Sequence, residues 1–543
     1  MQQLATPTIF PTADEVPASL RLTAPVELRE YLCDGRLLSW RGATSEVYSP
    51  LYRRQPAASG EEELQPQRLG SYPRMGEPEA LAALAAARRA YDDGLGYWPL
   101  LPLARRLAML EELAARLSPL REEVVRLLVW EIGKGQAEAD MEFTRTLDYI
   151  AATLAAGREM ARHDEPVQHR GVLARLSRAP LGVALCLGPS NNPFYETFTL
   201  LIPALLMGNT VIYKPPRQGV LLHRGLAGIF QQTLPPGVIN TLFGEGEEVL
   251  PPLLQTGQLA VLAFIGPRRV ADKLRRLHPE PGRLRCLLGL EAKNGAIVLA
   301  DADLQEAVAE CLLGALAFNG QRCTALKMLW VEAGICREFL RQLAAAMDGL
   351  SMGMPWRPKV RITPLPELAR VDYQRELLAD ALAKGAEIIN EGGGRCCRTF
   401  MTPALLYPVT ASMRLYHEEQ FGPLVPVAAF RDPAQPMEWL KESPFGQQVS
   451  LFGREPERLA ALVRPLANQV CRVNINCKCR RGPDSLPFSG RKDSAEGTLS
   501  VAEALQAFSI DTMTVVRENE ENRRLLHHLK TDSIDGGPDG SHW

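Results

Sequence analysis

Along the first 76 residues the hydrophobic positions follow no sustained period. The stretch is rich in Pro, Gly and Glu and predicts a loosely structured N-terminal extension. From Pro78 the pattern turns helical. Leu103, Leu107, Leu110, Ala114 and Leu117 recur at alternating steps of four and three, one apolar stripe of an amphipathic helix. Val125, Leu128, Val129 and Ile132 repeat the stripe, and Gly133 supplies a stop. Phe143, Leu147, Ile150 and Leu154 predict the buried face of a further helix.

The period then changes. Short apolar runs at 183–187, 210–213, 238–242 and 259–265 alternate with helical patterns near 196–207, 220–232, 247–255 and 268–277. Such alternation implies right-handed crossovers and a parallel sheet wound on both faces. A second alternating region runs from 296 to about 463, with strands near 296–299, 328–331 and 424–430. The expected fold class is therefore α/β, with two doubly wound parallel-sheet domains. The polar segment 518–543, with GGPDG near its end, predicts a mobile tail.

Composition narrows the function. The 543 residues hold 46% hydrophobic residues and 61 Lys+Arg against 63 Asp+Glu, a formal charge of −2. That balance argues against a broadly basic nucleic-acid-binding or membrane-surface protein, and the apolar content argues against general disorder. Eleven cysteines show no zinc-ligand spacing, and Cys477 and Cys479 stand too close for a Cys-x-x-Cys pair, so no metal is expected. The N-terminus lacks the basic and apolar segments of a leader. The longest apolar stretch, near 197–208, falls short of the roughly 18 residues of a spanning helix. A soluble enzyme of the reducing cytoplasm is the expectation, with neither nucleic acid nor membrane as partner.

In parallel sheets, ligands bind beyond the carboxyl ends of the strands. Three segments fall there: GPSNNPF (188–194), KPPR (214–217) and GEG (244–246). Gly244 opens a Gly-rich phosphate loop that Val249 fails to complete, so a plain turn fits equally. Lys214 alone is more often a solvated surface charge. In GQRCTA (320–325), Cys323 stands beside Arg322 just past the helical pattern 305–318. A neighbouring cation lowers a thiol pKa from about 8.5 and makes a nucleophile, whereas a buried structural cysteine is the competing reading.

GPSNNPF, KPP, GQRCTA, EEQFGP (418–423) and PFSG (487–490), in that order over about residues 77–516, resemble the aldehyde dehydrogenase superfamily. GQRCTA with KPPRQG and RRGPD is most similar to its non-phosphorylating, NADP-dependent glyceraldehyde-3-phosphate dehydrogenase branch. The resemblance implies that Cys323 attacks the aldehyde carbon, while the Asn191 amide and the Cys323 backbone N–H stabilise the oxyanion. Hydride transfer leaves a thioester for water to resolve. It assigns Lys214 to the adenosine ribose, and Glu419 and Phe421 to the nicotinamide side. Gly266 matches an invariant glycine of the cofactor cleft, although Ile265 and Pro267 replace hydroxyl-bearing neighbours. Arg217 stands where NAD-preferring relatives carry a ribose-binding Glu, and a cation there pairs with a 2′-phosphate, which makes NADP the expected cofactor and leaves NAD open.

Two features depart from the pattern. Gly289 occupies the place of the family's general base. Glu291 lies two residues on; in a strand such residues share a face roughly 6.6 Å apart, which makes Glu291 a candidate base and a solvated Glu the equal alternative. The substrate phosphate would be held by Arg145, Arg322 and Arg481, with Asn192 in place of a Tyr. Oxidation of a small anionic aldehyde, foremost glyceraldehyde 3-phosphate to 3-phosphoglycerate without inorganic phosphate, is the expected activity. The rivals are a coenzyme-A-acylating or other anionic semialdehyde dehydrogenase, and a catalytically silent binding protein of the same fold. The implied organisation is an NAD(P)-binding domain over 77–295, a catalytic domain over 296–490 and a return to the cofactor region over 491–517. Strands near 169–178 and 508–516 would form an oligomerisation extension, giving a homodimer or homotetramer.

Overall fold

A computed structural model describes residues 9–56, 62–162 and 166–535. Helices form where the apolar stripes lie: α1 (Glu77–Tyr91), α2 (Leu103–Leu117), α3 (Arg121–Ile132) and α4 (Gln136–Arg162). Leu107, Leu110, Leu113 and Leu117 of α2 are buried. Gly133 ends α3 at φ 67°, a left-handed conformation that costs a residue without Cβ little.

After strand β1 (Val172–Pro180) the chain winds the first sheet. Its units are β2 (Val183–Leu187), α5 (Tyr195–Leu206), β3 (Thr210–Lys214), α6 (Leu226–Thr233), β4 (Ile239–Thr241), α7 (Gly246–Gln255), β5 (Val261–Ile265), α8 (Arg268–Leu277) and β6 (Arg285–Gly289). The strands run parallel in the order β4-β3-β2-β5-β6. Every residue of β2 and β5 is buried, as a sheet covered on both faces requires. The winding reverses between β2 and β5, so a crevice opens beyond their carboxyl ends, at Gly188–Phe194 and Gly266–Pro267.

The second sheet comprises β7 (Asn294–Val298), α9 (Leu304–Leu316), β8 (Leu326–Glu332), α10 (Ala333–Asp348), α11 (Leu368–Ala383), β9 (Ala404–Tyr407), β10 (Leu424–Phe430), β11 (Gln448–Phe452) and β12 (Arg472–Ile475). Its order is β9-β10-β8-β7-β11-β12, all parallel, with Glu387–Ile388 antiparallel at one edge. The chain then returns: β13 (Ala495–Glu496) pairs antiparallel with β6, and β14 (Ser509–Arg517) pairs antiparallel with β1 from Ser509↔Pro180 to Arg517↔Val172.

Three local expectations need correction. The N-terminal segment is built into the fold: Val26–Glu27, Thr44–Tyr48 and Arg68–Pro73 form one sheet, and Phe10, Leu20, Leu32 and Leu69 are buried. Its strands are short and its buried residues stand singly, so no period shows. It also clamps the edge of the first sheet, where Leu32 N–H donates to Thr241 Oγ1 at 2.7 Å and Asp34 N–H to Asn240 Oδ1 at 2.9 Å. The expected mobile tail begins with a helix, Glu520–Asp535, while residues 536–543 lie outside the described region. Finally, Glu291 is not in a strand, because β6 ends at Gly289 and residues 290–293 form the loop to β7.

Buried Glu131 ties α3 to the segment after β3, accepting Leu221 N–H and Leu222 N–H, each at 3.2 Å. Burial outweighs these donors and pushes its carboxyl up to about 8. The native state therefore holds this proton more tightly than the unfolded chain, and its stabilising contribution is lost as pH rises from 4.5 to about 8. Relative to Glu131→Gln, the wild-type melting temperature should fall progressively across that window. Parallel pH curves for the two proteins would disprove the assignment.

Candidate active site

The loop after α9 presents the thiol. Phe318, Asn319 and Gly320 all take positive φ, at 49°, 57° and 75°. A Cβ at Gly320 would lie 2.5 Å from the Gly422 carbonyl, so the turn demands glycine there. The two non-glycine residues are held by their surroundings. Asn319 accepts Thr363 N–H at 2.9 Å and donates to Thr363 Oγ1 at 3.2 Å, while Asn294 Nδ2 donates to the Cys323 carbonyl at 2.7 Å. Burial pushes the half-buried Cys323 thiol up to about 11, reinforced by Glu196 and opposed by Lys327 and Arg481. The expected lowering by Arg322 is absent, because that guanidinium turns to Glu138 at 3.1 Å.

Asn191 is fixed by a buried clamp. Lys134, 1% exposed, donates from Nζ to the Asn191 carbonyl at 2.7 Å and to Asn192 Oδ1 at 3.0 Å, and it pairs with Glu142. The other Glu142 oxygen accepts the N–H groups of Phe194 and Tyr195 at 3.0 and 3.1 Å, so a carboxylate caps the start of α5. Lys134 also lies 4.7 Å from the centre of the Phe318 ring, joining the Asn191 loop to the Cys323 loop. One N–H of the Asn191 amide donates to the Gln321 carbonyl at 2.9 Å, which leaves the second for a ligand.

Two cavities meet at Cys323. One, of about 280 Å³, is lined by Arg145, Asn192, Arg322, Arg480 and Arg481. Each arginine expected to meet a phosphate already holds a carboxylate. Arg145 binds Asp484 at 2.7 and 3.1 Å, Arg322 binds Glu138, and Arg481 binds Glu196 at 3.1 Å. The first two pairs are partly exposed, whereas Arg481 and Glu196 are both buried. Arg481 also donates to the Leu499 carbonyl at 2.9 Å and lies over the rings of Tyr195 and Phe488. Arg480 is exposed and forms no ion pair among the described residues.

The other cavity, of about 660 Å³, fills the crevice at the switch point and is lined by Arg217, Gly266, Glu291, Glu419 and Phe421. Arg217 is exposed and pairs with Glu367 at 2.8 Å. Glu419 pairs with Lys327 and accepts Ala292 N–H at 3.1 Å; Phe421 lies between Lys327 and Arg370. Glu291 accepts Arg268 N–H at 3.0 Å, so its carboxylate caps the first turn of α8, and burial raises its pKa. Lys214 and Gly244 do not line this cavity. Lys214 Nζ donates to the Pro215 carbonyl at 3.3 Å, and burial lowers its pKa to about 8. Gly244, at φ 105°, admits close approach of Met75, whose carbonyl would lie 2.7 Å from a Cβ there. Among the described residues no three His, Cys, Asp or Glu side chains cluster as a metal site.

Sequence reasoning missed the partners: Lys134, Glu138, Glu142, Glu196, Lys327 and Asp484. A signal existed for some of them, since Glu138, Glu142 and Arg145 share one face of α4 at helical spacing.

Two outcomes follow from this geometry. In protein without ligand, alkylation of Cys323 by iodoacetamide, mapped by peptide mass spectrometry, should rise about tenfold per pH unit through neutrality with no plateau below the thiol pKa of about 11. A plateau near neutrality would show an activated thiolate. Lys134→Met strands Glu142 and should cost about 3–5 kcal/mol of stability. Adding Glu142→Leu removes the stranded charge but also the cap on the Phe194 and Tyr195 N–H groups, so it should recover only part of that stability.

The sequence profile of the aldehyde dehydrogenase family matches residues 61–514. NADP-dependent glyceraldehyde-3-phosphate dehydrogenase of Streptococcus equinus is 32% identical over 493 residues, covering 88% of this chain and 96% of that protein. The crystal structure of NADP-dependent glyceraldehyde-3-phosphate dehydrogenase from Bacillus halodurans C-125 complexed with NADP superposes with a TM-score of 0.81 at 27% identity, covering 90% of this chain and 99% of that one. Lactaldehyde dehydrogenase from Escherichia coli superposes with a TM-score of 0.82 at 26% identity, over 91% and 100% of the two chains.

Proposed function

The chain belongs to the aldehyde dehydrogenase family, and from that footing we propose that it oxidises a small phosphorylated aldehyde, foremost glyceraldehyde 3-phosphate, to its acid with NADP and without inorganic phosphate. The observation that carries this reading is the convergence of Arg145, Arg322, Arg480 and Arg481 on the cavity that holds Cys323 and Asn191. A guanidinium matches phosphate oxygens in bidentate fashion. Arg145 and Arg322 are in partly exposed pairs, which cost little to open, so they can exchange a carboxylate for a phosphate; Arg480 needs no exchange.

The residues of the larger cavity fit NADP. Phe264, Ile265, Val270 and Phe421 offer apolar faces, and Arg217 and Arg370 offer cations. A Cβ at Gly266 would fall 2.4 Å from the Phe264 ring, so glycine keeps this wall of the cavity clear. Bound NADP supplies the hydride acceptor. The chain does the rest: the Cys323 sulfur adds to the aldehyde carbon, and the oxyanion is met by the second Asn191 amide N–H and the Cys323 backbone N–H. Loss of hydride leaves a thioester on Cys323, which water resolves to acid and free thiol.

The eleven cysteines are all free, which supports a reducing cytoplasm. No helix among the described residues is long and apolar enough to cross a membrane. On the paired strands β1 and β14, Leu176, Ile510, Met513 and Val515 are exposed, which supports homo-oligomerisation through this extension.

A second reading, a small unphosphorylated hydroxyaldehyde, is favoured by the carboxylates that already neutralise Arg145, Arg322 and Arg481. Comparing kcat/KM for glyceraldehyde 3-phosphate with that for lactaldehyde decides between them. The first reading expects the phosphorylated substrate to lead by at least about tenfold, as one charge-assisted hydrogen bond requires. NADPH should form without phosphate or coenzyme A, and Cys323→Ser should abolish it; a requirement for coenzyme A would assign the acylating chemistry instead. Arg217→Glu should lower preference for NADP over NAD by about tenfold through loss of a phosphate contact.

A further inference from the structure

Resolving a thioester with water needs a group to take the water proton, and Gly289 has no side chain to offer. The cavity that holds Cys323 and Gly289 is lined by four carboxylates: Glu196, Glu291, Glu419 and Glu367, the last paired with Arg217. Glu419 is engaged by Lys327 and by Ala292 N–H. Glu291 lines the cofactor cavity but not the substrate-side one, and it spends its carboxylate on Arg268 N–H at 3.0 Å. That position is favourable for an anion, at the first turn of the ten-residue helix α8, and moving the carboxylate to the thiol would leave the helix end uncapped.

Glu196 is ion-paired like Glu419, but it differs from both in position. The two cavities share three lining residues: Asn191, Cys323 and Glu196. The carboxylate therefore stands where the substrate side and the cofactor side join, beside the nucleophile and the oxyanion donor. Arg481 fixes it there at 3.1 Å and is itself fixed by the Leu499 carbonyl and two aromatic rings. Among the charged groups that act on the Cys323 thiol, Glu196 has the largest effect.

We propose that Glu196, and not Glu291, is the general base of the hydrolytic step. Water attacks the thioester carbonyl and gives one proton to the Glu196 carboxylate. The C–S bond then breaks, its electron pair stays on sulfur, and the proton held by Glu196 can return to the Cys323 thiolate as the acid departs. No oxidant or further reactant enters this step. The assignment rests on the proposed aldehyde oxidation through Cys323.

The test is rapid-quench kinetics of the full-length protein with NADP and glyceraldehyde 3-phosphate, combined with intact-mass measurement of the acyl adduct on Cys323. A general base contributes roughly 10²–10⁴ in rate. Glu196→Gln should therefore keep a burst of about one NADPH per site, slow steady turnover by at least about a hundredfold and accumulate the adduct. Because this change leaves Arg481 without its counter-charge, Glu196→Asp serves as the second variant. It keeps the charge but withdraws the carboxylate by one methylene, and it should keep the burst while slowing turnover by about tenfold or more. Steady turnover at the wild-type rate in the folded Glu196→Gln or Glu196→Asp protein overturns the proposal, as does adduct accumulation in Glu291→Gln but not in Glu196→Gln. Absence of NADPH formation by the wild type would instead defeat the underlying aldehyde reading, so the two failures are distinct.

Discussion

The active site depends on one buried ion pair, Lys134 with Glu142. Lys134 follows the glycine that ends α3, and Glu142 lies on α4, so the pair first locks two helices together. Its remaining hydrogen bonds then reach everything that positions the chemistry: the Asn191 and Asn192 loop, the first turn of α5 and, through the Phe318 ring, the strained turn before Cys323. A buried pair is costly to desolvate, and it repays that cost only when its donors and acceptors are satisfied. Here both carboxylate oxygens and the ammonium group have partners, so the pair specifies one arrangement of the Asn191 and Cys323 loops.

Around that fixed centre the other charges also come in pairs, but with different mobility. Arg145–Asp484 and Arg322–Glu138 are partly solvated, and exchange of one anion for another there is inexpensive. Arg481–Glu196 and Lys327–Glu419 are buried, so opening them is costly. The smaller cavity at Cys323 thus has an adjustable side, Arg145 and Arg322, and a fixed one, Arg481 with Glu196.

Much of this was legible in the sequence. Apolar stripes marked α2, α3 and α4, and β2 and β10 run over the expected residues. The rest was hidden for identifiable reasons. The N-terminal segment buries isolated residues from short strands, which leave no period to detect. The partners of Arg145 and Arg322 lie 339 and 184 residues away in the chain, so a basic residue that converges on the cavity looks unpaired until the fold closes. Glu291 was placed by strand spacing, but β6 ends two residues earlier and the loop sends its carboxylate to α8. Lys214 and Gly244 matched motifs, yet their backbone environment directs them toward Pro215 and Met75.

The thiol itself shows why position outweighs intrinsic reactivity here. Burial holds Cys323 near 11, so at neutral pH the free protein presents a protonated, weakly nucleophilic sulfur. Two cations, Lys327 and Arg481, favour the thiolate, but each is neutralised by a carboxylate, Glu419 or Glu196. Any event that draws Glu196 away from the sulfur, or brings a positively charged ring close to it, tips this balance toward thiolate without moving the backbone. Oxidised NADP would bring such a charge, and Cys323 lines the cavity proposed for it. The arrangement that leaves the sulfur protonated in the free protein thus ties its reactivity to what occupies that cavity.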